Sequence, residues 1–167
     1  PGALSFNEFN PIFNRNGISL LATGLAGEND TWAGEVVAGG LYQKLSFSLG
    51  YSYYETDGWR TNAGQQDHIG NAFVQLELSP QTSIQAEFRY RDREIGDLQL
   101  RFFTEDVLPN LKETEERATY RVGVRHAFSP HSIVLASVVY QHADVRLHDE
   151  PNDGFINTFD QDFPDLR

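Results

Sequence analysis

The stretch LSPQTSIQAEFRY (residues 78–90) contains a tight turn and then a run in which apolar and polar residues alternate. The chain repeats this arrangement fifty residues later as FSPHSIVLASVVY (128–140). A period of two residues places successive side chains on opposite faces of a β-strand. Each stretch therefore predicts a hairpin turn that leads into a long strand with one apolar face.

The same alternation recurs along most of the chain and predicts an all-β protein, an antiparallel up-and-down meander of about seven long strands. The strands are predicted near residues 17–27, 31–41, 45–55, 69–78, 83–93, 117–128 and 132–144. This pattern divides the chain into an N-terminal lead-in segment (1–16), a strand region (17–144) and an acidic loop or tail (145–167). In the first two strands, which are rich in small residues, we expect Thr23 and Glu35 to face inward.

The connections between the predicted strands alternate in length, apart from a brief one at residues 27–30, which falls where a long one would be expected. Those around residues 42–44, 79–82 and 129–132 are short, whereas those at 56–68 and 94–116 are long. Because strand direction reverses at each turn, the short turns lie together at one end of the sheet. Strands of about 11 residues, inclined by roughly 40°, reach about 28 Å in height. Both features are typical of a transmembrane β-barrel.

A soluble antiparallel sheet packed against another element has the same period, so this alternative stays open. The two repeated stretches favour lipid as the surrounding of the apolar face. They share that face, as strands in one common solvent would, and they differ on the opposite face. The shared faces are Ile84, Ala86, Phe88 and Tyr90 in one stretch, and Val134, Ala136, Val138 and Tyr140 in the other. The faces that differ are Gln85, Glu87, Arg89 and Arg91, and Leu135, Ser137, Val139 and Gln141.

Composition excludes several classes of function. A net charge of -11 argues against a nucleic-acid partner. With no Cys, the chain has no disulfide, thiolate metal site or cysteine nucleophile. No run approaches the roughly 18 apolar residues of a membrane-spanning helix, so a helical membrane protein is excluded. Membrane strands need only about 10 alternating residues and remain compatible with the sequence.

In a barrel, the two faces of each strand would contact lipid and lumen. The predicted lipid-facing residues are Leu45, Phe47, Leu49, Ile84, Ala86, Phe88, Tyr90, Val122, Val124, Val134, Val138 and Tyr140. The predicted lumen-facing residues are Glu77, Gln85, Glu87, Arg89, Arg91, Arg121 and Arg125. These arginines, together with Arg93 on the same face of the fifth strand, form either a cationic wall that favours anionic solutes or a charge ladder in which Glu77 and Glu87 pair across strands.

No catalytic, cofactor or metal site is predicted. Asp149, Asp153, Gly154 and Asp160 have the spacing of an EF-hand-like loop, but Pro151 occupies a ligand position, and a solvated loop is favoured. The His residues lack ligand spacing, and no Ser lies in a nucleophile motif. The long connection at 96–118 either folds over the mouth of the barrel or is a passive surface loop.

Four stretches of the chain resemble the barrel region of Gram-negative outer-membrane proteins. They are SFNEFNPIF (5–13), LSFSLGYSYYETDGWRTN (45–62), AFVQLELSPQTSIQAEFRYRDREIGDLQLRF (72–102) and HAFSPHSIVLASVVYQ (126–141). The chain is most similar to TonB-dependent-receptor-like barrels, some of which are linked to tetratricopeptide repeats. The resemblance implies location in the outer membrane of a Gram-negative bacterium and a role in solute passage or surface binding. It also implies three partners: membrane lipid, further strands of the same barrel, and a plug or energy-coupling protein.

Two features depart from this resemblance. Seven strands is an odd number and lies below the minimum of about 8 for bacterial barrels. The chain also ends in DFPDLR, without the terminal aromatic strand that such barrels usually have. We therefore expect a fragment whose remaining strands lie downstream. The expected function is outer-membrane passage or uptake of solutes, with a non-transporting surface-binding barrel as the alternative.

Overall fold

The computed structural model describes residues 15–100, 103, 106–148, 157–160 and 163–166. For the last two segments, only the backbone pairing is described. Most of the predicted lead-in segment lies outside these residues. No helix in the described part of the chain is long and apolar enough to span a membrane.

The described residues form one antiparallel sheet. Its strands are β1 (Gly17–Gly27), β2 (Thr31–Tyr42), β3 (Leu45–Thr56), β4 (Gln65–Ser79), β5 (Thr82–Ile95), β6 (Lys112–Ser129), β7 (Ser132–His148), β8 (Asn157–Asp160) and β9 (Phe163–Leu166). Each strand from β1 to β7 pairs with the next one along the chain. The predicted all-β meander is therefore confirmed. Within the described residues, β1 does not pair with the far edge, and the sheet is open rather than closed as a barrel.

Several strands are longer than the sequence predicted. β4 begins at residue 65 rather than 69, β6 begins at 112 rather than 117, and β7 ends at 148 rather than 144. The prediction ended each strand where the apolar alternation stops. Backbone hydrogen bonds do not depend on apolar side chains, so the pairing continues through residues that are charged on both faces.

Parts of the predicted acidic tail also belong to the sheet. Both β8 and β9 pair with β7. In β8 the partner of Asp144 is Asp160, and in β9 the partner of Val138 is Leu166. From Asp160 to Leu166 the chain advances six residues, and the β7 partner moves back by the same number, from Asp144 to Val138. The two segments therefore share one register and act as an eighth strand along the edge of β7. Strand replaces loop here because pairing with β7 does not require the clean alternation that the acidic tail lacks.

The two hairpins of the repeated sequence have the same turn geometry. In the β4–β5 hairpin, the register shifts between Glu77 and Ser79. In the β6–β7 hairpin, it shifts at the equivalent place, between Ala127 and Ser129. The Oγ of Ser79 accepts the backbone N–H of Thr82 at 3.1 Å. The repeated Ser-Pro turn therefore corresponds to a repeated β-bulge that closes a two-residue connection.

Successive hairpins are staggered in one direction. The backbone N–H of Glu77 donates to the carbonyl of Lys44 at 2.9 Å, and β4 continues for two more residues before its turn. The N–H of Ala127 donates to the carbonyl of Gln81 at 2.8 Å, and β6 also continues for two more residues. Each hairpin therefore extends two to three residues beyond the one before it, which is about 7–10 Å along the strand direction. Neighbouring hairpins are two strands apart, which is about 9.6 Å across the sheet. If the turns lie in one plane, the strands are inclined by roughly 35–45° to its normal, which is the range found in β-barrels.

One face of the sheet carries buried polar side chains and the other carries exposed apolar side chains, which is the reverse of a soluble protein. Gln85 and Arg121 are each only 4% exposed, whereas Leu49 is 53% and Val122 63% exposed. Among the described residues, the buried hydrophobic side chains are Ala63 and Ala143 alone. No second layer of described strands covers either face. Polar side chains in a single sheet bury one another in this way when the sheet curves toward their face.

Candidate functional site: the polar face of the sheet

The strand register places the seven predicted lumen-facing residues on one face. Directly paired residues have their side chains on the same side of a sheet, and neighbours along a strand alternate. Ser83 pairs with both Glu77 and Arg125, while Glu87 pairs with Arg121. Gln85, Arg89 and Arg91 follow in the same alternation along β5. Thr23 and Glu35 pair with each other and lie on this face, as expected from the sequence.

Ion pairs connect neighbouring strands on this face. Arg91 donates two hydrogen bonds to Asp67, from Nε to Oδ1 at 3.0 Å and from Nη2 to Oδ2 at 2.5 Å. The Nη1 of Arg121 lies 3.8 Å from Oε2 of Glu87. These contacts support the charge-ladder interpretation for Glu87. No ion pair of Glu77 is found within the described part of the chain.

The polar face extends further than the sequence predicted. Arg117 and Glu115 lie on it, joined by a 2.5 Å contact from Nη2 to Oε1. Asp67 and Arg93 pair directly and lie on it as well. The prediction missed Asp67 and Glu115 because it began β4 and β6 too late, and it did not assign Arg117, the first residue of its sixth strand, whereas Arg93 lies where the alternation along β5 predicted it. The same alternation would also have assigned Asp67 and Glu115 to this face, if β4 and β6 had been extended.

Charge is divided across the polar face. Among its described residues, β5 and β6 contribute six arginines and three glutamates, a net charge of +3: Arg89, Arg91, Arg93, Arg117, Arg121, Arg125, Glu87, Glu113 and Glu115. From β1 to β4 the same face carries three carboxylates and no basic residue, a net charge of −3: Glu35, Asp67 and Glu77. One side of the polar face is therefore basic, and the other is acidic.

The opposite face carries an exposed apolar band with polar edges. All twelve predicted lipid-facing residues lie on it, since Leu45, Ile84, Val122 and their alternating neighbours share one side in the register. Tyr51, Tyr90 and Tyr140 lie at one edge of this band, and Phe128 lies near the short turns.

Beyond the tyrosines, the same face becomes charged. Lys112 Nζ lies 2.7 Å from Glu94 Oε1, and Arg146 Nη2 donates to Asp144 Oδ2 at 2.6 Å. The hydrogen bond to Asp144 raises the pKa of Arg146 above its ordinary value. The apolar surface is therefore bounded at this end, first by aromatic rings and then by ion pairs.

The two long connections, residues 57–64 and the described parts of 96–111, are bonded to each other. Asp97 is fully buried, and its Oδ2 accepts the backbone N–H of Leu108 at 3.1 Å. The Nη2 of Arg60 lies 3.5 Å from the same Oδ2 and donates to the carbonyl of Asp97 at 2.6 Å. Asn62 Nδ2 donates to the carbonyls of Leu108 and Leu111 at 2.7 and 2.8 Å. Sequence reasoning missed this cluster, because its residues are far apart in the chain and follow no periodicity.

Two glycines permit this contact between the connections. Gly58 has a φ of 81°, which L side chains rarely adopt, and a Cβ there would collide with the carbonyl of Ala63. A Cβ on Gly96 would collide with the carbonyl of Asn62. The described parts of the 96–111 connection are therefore held against the neighbouring loop. Residues 112–116, which were predicted as loop, belong to β6.

The calcium-like spacing in the tail is only partly described. Asp149, Asp153 and Gly154 lie outside the described residues, and Asp160 is part of β8. Within the described part of the chain, no group of three or more His, Asp or Glu residues is placed to hold a metal ion.

Comparison of the chain with family models, curated proteins and solved structures yields no match. The resemblance to TonB-dependent-receptor-like barrels therefore stays a prediction. The function must be argued from the two faces of the sheet and from the loops at its end.

Proposed function

We propose that this chain is a segment of an outer-membrane β-barrel of a Gram-negative bacterium that passes or takes up solutes. The observation that carries the proposal is the reversed burial of the two faces, with polar side chains buried and apolar side chains exposed. Lipid is the surrounding in which an exposed apolar face and a polar interior are both favourable. Further strands of the same barrel would pair with the free edges of the sheet.

The dimensions of the apolar band support lipid as its surrounding. On β3 the band extends from Leu45 to Tyr53, and on β6 from Ala118 to Phe128. At about 3.3 Å per residue and a tilt of roughly 40°, these spans correspond to heights of about 20–25 Å. The apolar band of an outer-membrane barrel is about 25 Å tall. A shallow groove of about 560 Å³ on this face, lined by residues such as Val74, Ile84 and Val122, offers space for an acyl chain.

The soluble alternative accounts for fewer of these features. A soluble sheet would cover its apolar face with another protein layer and expose its polar face to water. The curvature inferred from burial runs the other way, because Ser46, Ser48 and Gln75 on the polar face are buried. Aromatic rings followed by charged residues along one edge of the apolar face are also what a bilayer interface favours.

A surface-binding barrel is the second candidate, and the loops favour it. The buried Asp97 cluster holds the described parts of two neighbouring connections together, and Trp59, Leu100 and Phe103 in those parts are exposed. The guanidinium of Arg60 lies 4.8 Å from the centre of the Trp59 ring, which holds that side chain in place. Exposed aromatic side chains on a fixed backbone are suited to contact with an external ligand.

Conductance separates passage from surface binding. The full-length barrel, inserted into planar lipid bilayers, is expected to conduct ions. Ser137 lies on the polar face and Val138 on the apolar face of the same strand. We expect Ser137→Trp to reduce the single-channel conductance, because the ring would project into the lumen, and Val138→Trp to leave it unchanged. A barrel that is folded in the bilayer and does not conduct would contradict passage and favour surface binding.

A further inference from the structure

A hollow of about 540 Å³ lies on the polar face over β1–β4, on its acidic side. Two adjacent rows of paired residues form it. One row contains Thr23, Glu35, Ser52 and Ile69, and the other contains Leu25, Ala33, Tyr54 and Asp67. Sequence reasoning placed Thr23 and Glu35 inward but gave no indication of a cavity.

The lining of the hollow is mostly apolar, with one available carboxylate. Leu25, Ala33 and Ile69 contribute apolar surface. Asp67 is already occupied, because Arg91 donates two hydrogen bonds to it. Glu35 is half-buried and forms no ion pair within the described part of the chain. Its carboxylate is therefore available to a ligand.

Charge at this position favours a cation. The residues that line the hollow include no Lys, Arg or His. Tyr54 is directly paired with Ala33, so it lies diagonally from Glu35 on the same face, at a Cα separation of roughly 7–8 Å, and it lines the hollow. An aromatic face and a carboxylate at this spacing attract the same positively charged group.

We propose that this hollow binds small organic cations that have an apolar body. The cationic group would lie between Glu35 and the ring of Tyr54, and the apolar body would lie against Leu25, Ala33 and Ile69. The volume falls within the roughly 300–1,000 Å³ of small-molecule sites. The proposal rests on the proposed function in one respect, namely that the polar face lines a lumen which solutes can enter.

Equilibrium binding to the full-length barrel in detergent tests the site without requiring passage. Three probes of similar size carry different charges: benzyltrimethylammonium, benzyl alcohol and benzenesulfonate. Isothermal titration calorimetry is expected to give a dissociation constant for benzyltrimethylammonium at least about tenfold lower than for the neutral or anionic probe. Such a ratio corresponds to about 1.4 kcal/mol.

Three variants assign the binding to the hollow. Glu35→Gln is expected to weaken binding of the cation about tenfold and to leave benzyl alcohol unchanged. Glu28→Gln, in an exposed turn outside the hollow, is the matched control and should bind the cation as the parent does. Ala33→Leu fills the apolar part of the hollow and is expected to abolish binding of the cation while leaving Glu35 in place.

Two results would overturn the proposal: equal dissociation constants for the three probes, or undiminished cation binding by the Glu35→Gln variant. Failure of the proposed function looks different. A barrel that binds benzyltrimethylammonium but shows no conductance would contradict passage and leave the site standing. A barrel that conducts but has no preference for the cation would contradict this site alone.

Discussion

Replacement of Val122 by Arg places a charge near the centre of the proposed lipid-facing band. Val122 is 63% exposed and pairs directly with Ala86 and Val138, which lie on the same apolar face. It is four residues from Ala118 and six from Phe128, the two ends of the band on β6. At a tilt of roughly 40°, these separations are about 10 and 15 Å of height.

The expected cost follows from this depth. An arginine on the lipid face of an outer-membrane barrel destabilises it by about 2–4 kcal/mol at the midplane and by about 0–1 kcal/mol near the interfaces. We therefore expect Val122→Arg to lower the free energy of unfolding by about 2–4 kcal/mol. This loss corresponds to a roughly 30- to 700-fold change in the folding equilibrium. The reason is that a guanidinium at this depth must leave water or distort the bilayer to reach it.

The assay is reversible unfolding by guanidinium of the full-length barrel in phosphatidylcholine vesicles. The fluorescence of Trp32 and Trp59 reports the transition. Ser137→Arg on the polar face and Glu116→Arg beyond the tyrosines are the controls, each expected to change stability by less than about 1 kcal/mol. An equal loss at all three positions, or a loss below about 0.5 kcal/mol at Val122, would refute the reasoning.

Further predictions concern the loops and the ion pairs. Gly58→Ala is expected to destabilise the 57–64 connection by about 1–3 kcal/mol, because Gly58 has a positive φ. Faster local hydrogen exchange would measure this loss. Gly70→Ala is the control and should exchange as the parent does, since nothing lies within 4 Å of a Cβ at that position. Asp97→Ala is expected to increase proteolysis within the long connections but not within the strands, and unchanged cleavage would count against the cluster. Arg91→Lys should lose about 1 kcal/mol of stability in chemical unfolding, since Lys cannot form the two-bond contact with Asp67, and full retention would contradict that role.

The strands and their faces could be predicted from sequence, because the alternation directly reports which side chains share a surface. For the run from Ile84 to Tyr90, the alternation alone identified which residues share a face, without knowledge of any partner strand. Even in the first two strands, which are rich in small residues, one polar residue in each was sufficient to assign the faces, since Glu35 lies on the polar face beside Thr23. The ends of the strands were less predictable, because pairing continues beyond the apolar band.

The contacts on the polar face could not be predicted, since they depend on register. The sequence placed Arg91 on that face but did not identify Asp67 as its partner. The Asp97 cluster was even harder to predict from sequence, because Arg60 and Asp97 are separated by 37 residues and lie in two irregular connections. The hollow near Glu35 likewise required the alignment of four strands.

Spin labels along β5 test most directly whether the apolar face contacts lipid. The chain has no Cys, so single Cys variants at each residue from 83 to 91 can carry one nitroxide each. With the full-length barrel in liposomes, lipid contact predicts high collision rates with oxygen at residues 84, 86, 88 and 90. Contact of the opposite face with an aqueous lumen predicts collision with a water-soluble nickel reagent at the residues between them. Labels at residues 84, 86, 88 and 90 that collide with the nickel reagent but not with membrane oxygen, or a barrel that folds as a monomer without detergent or lipid, would contradict a membrane-embedded sheet.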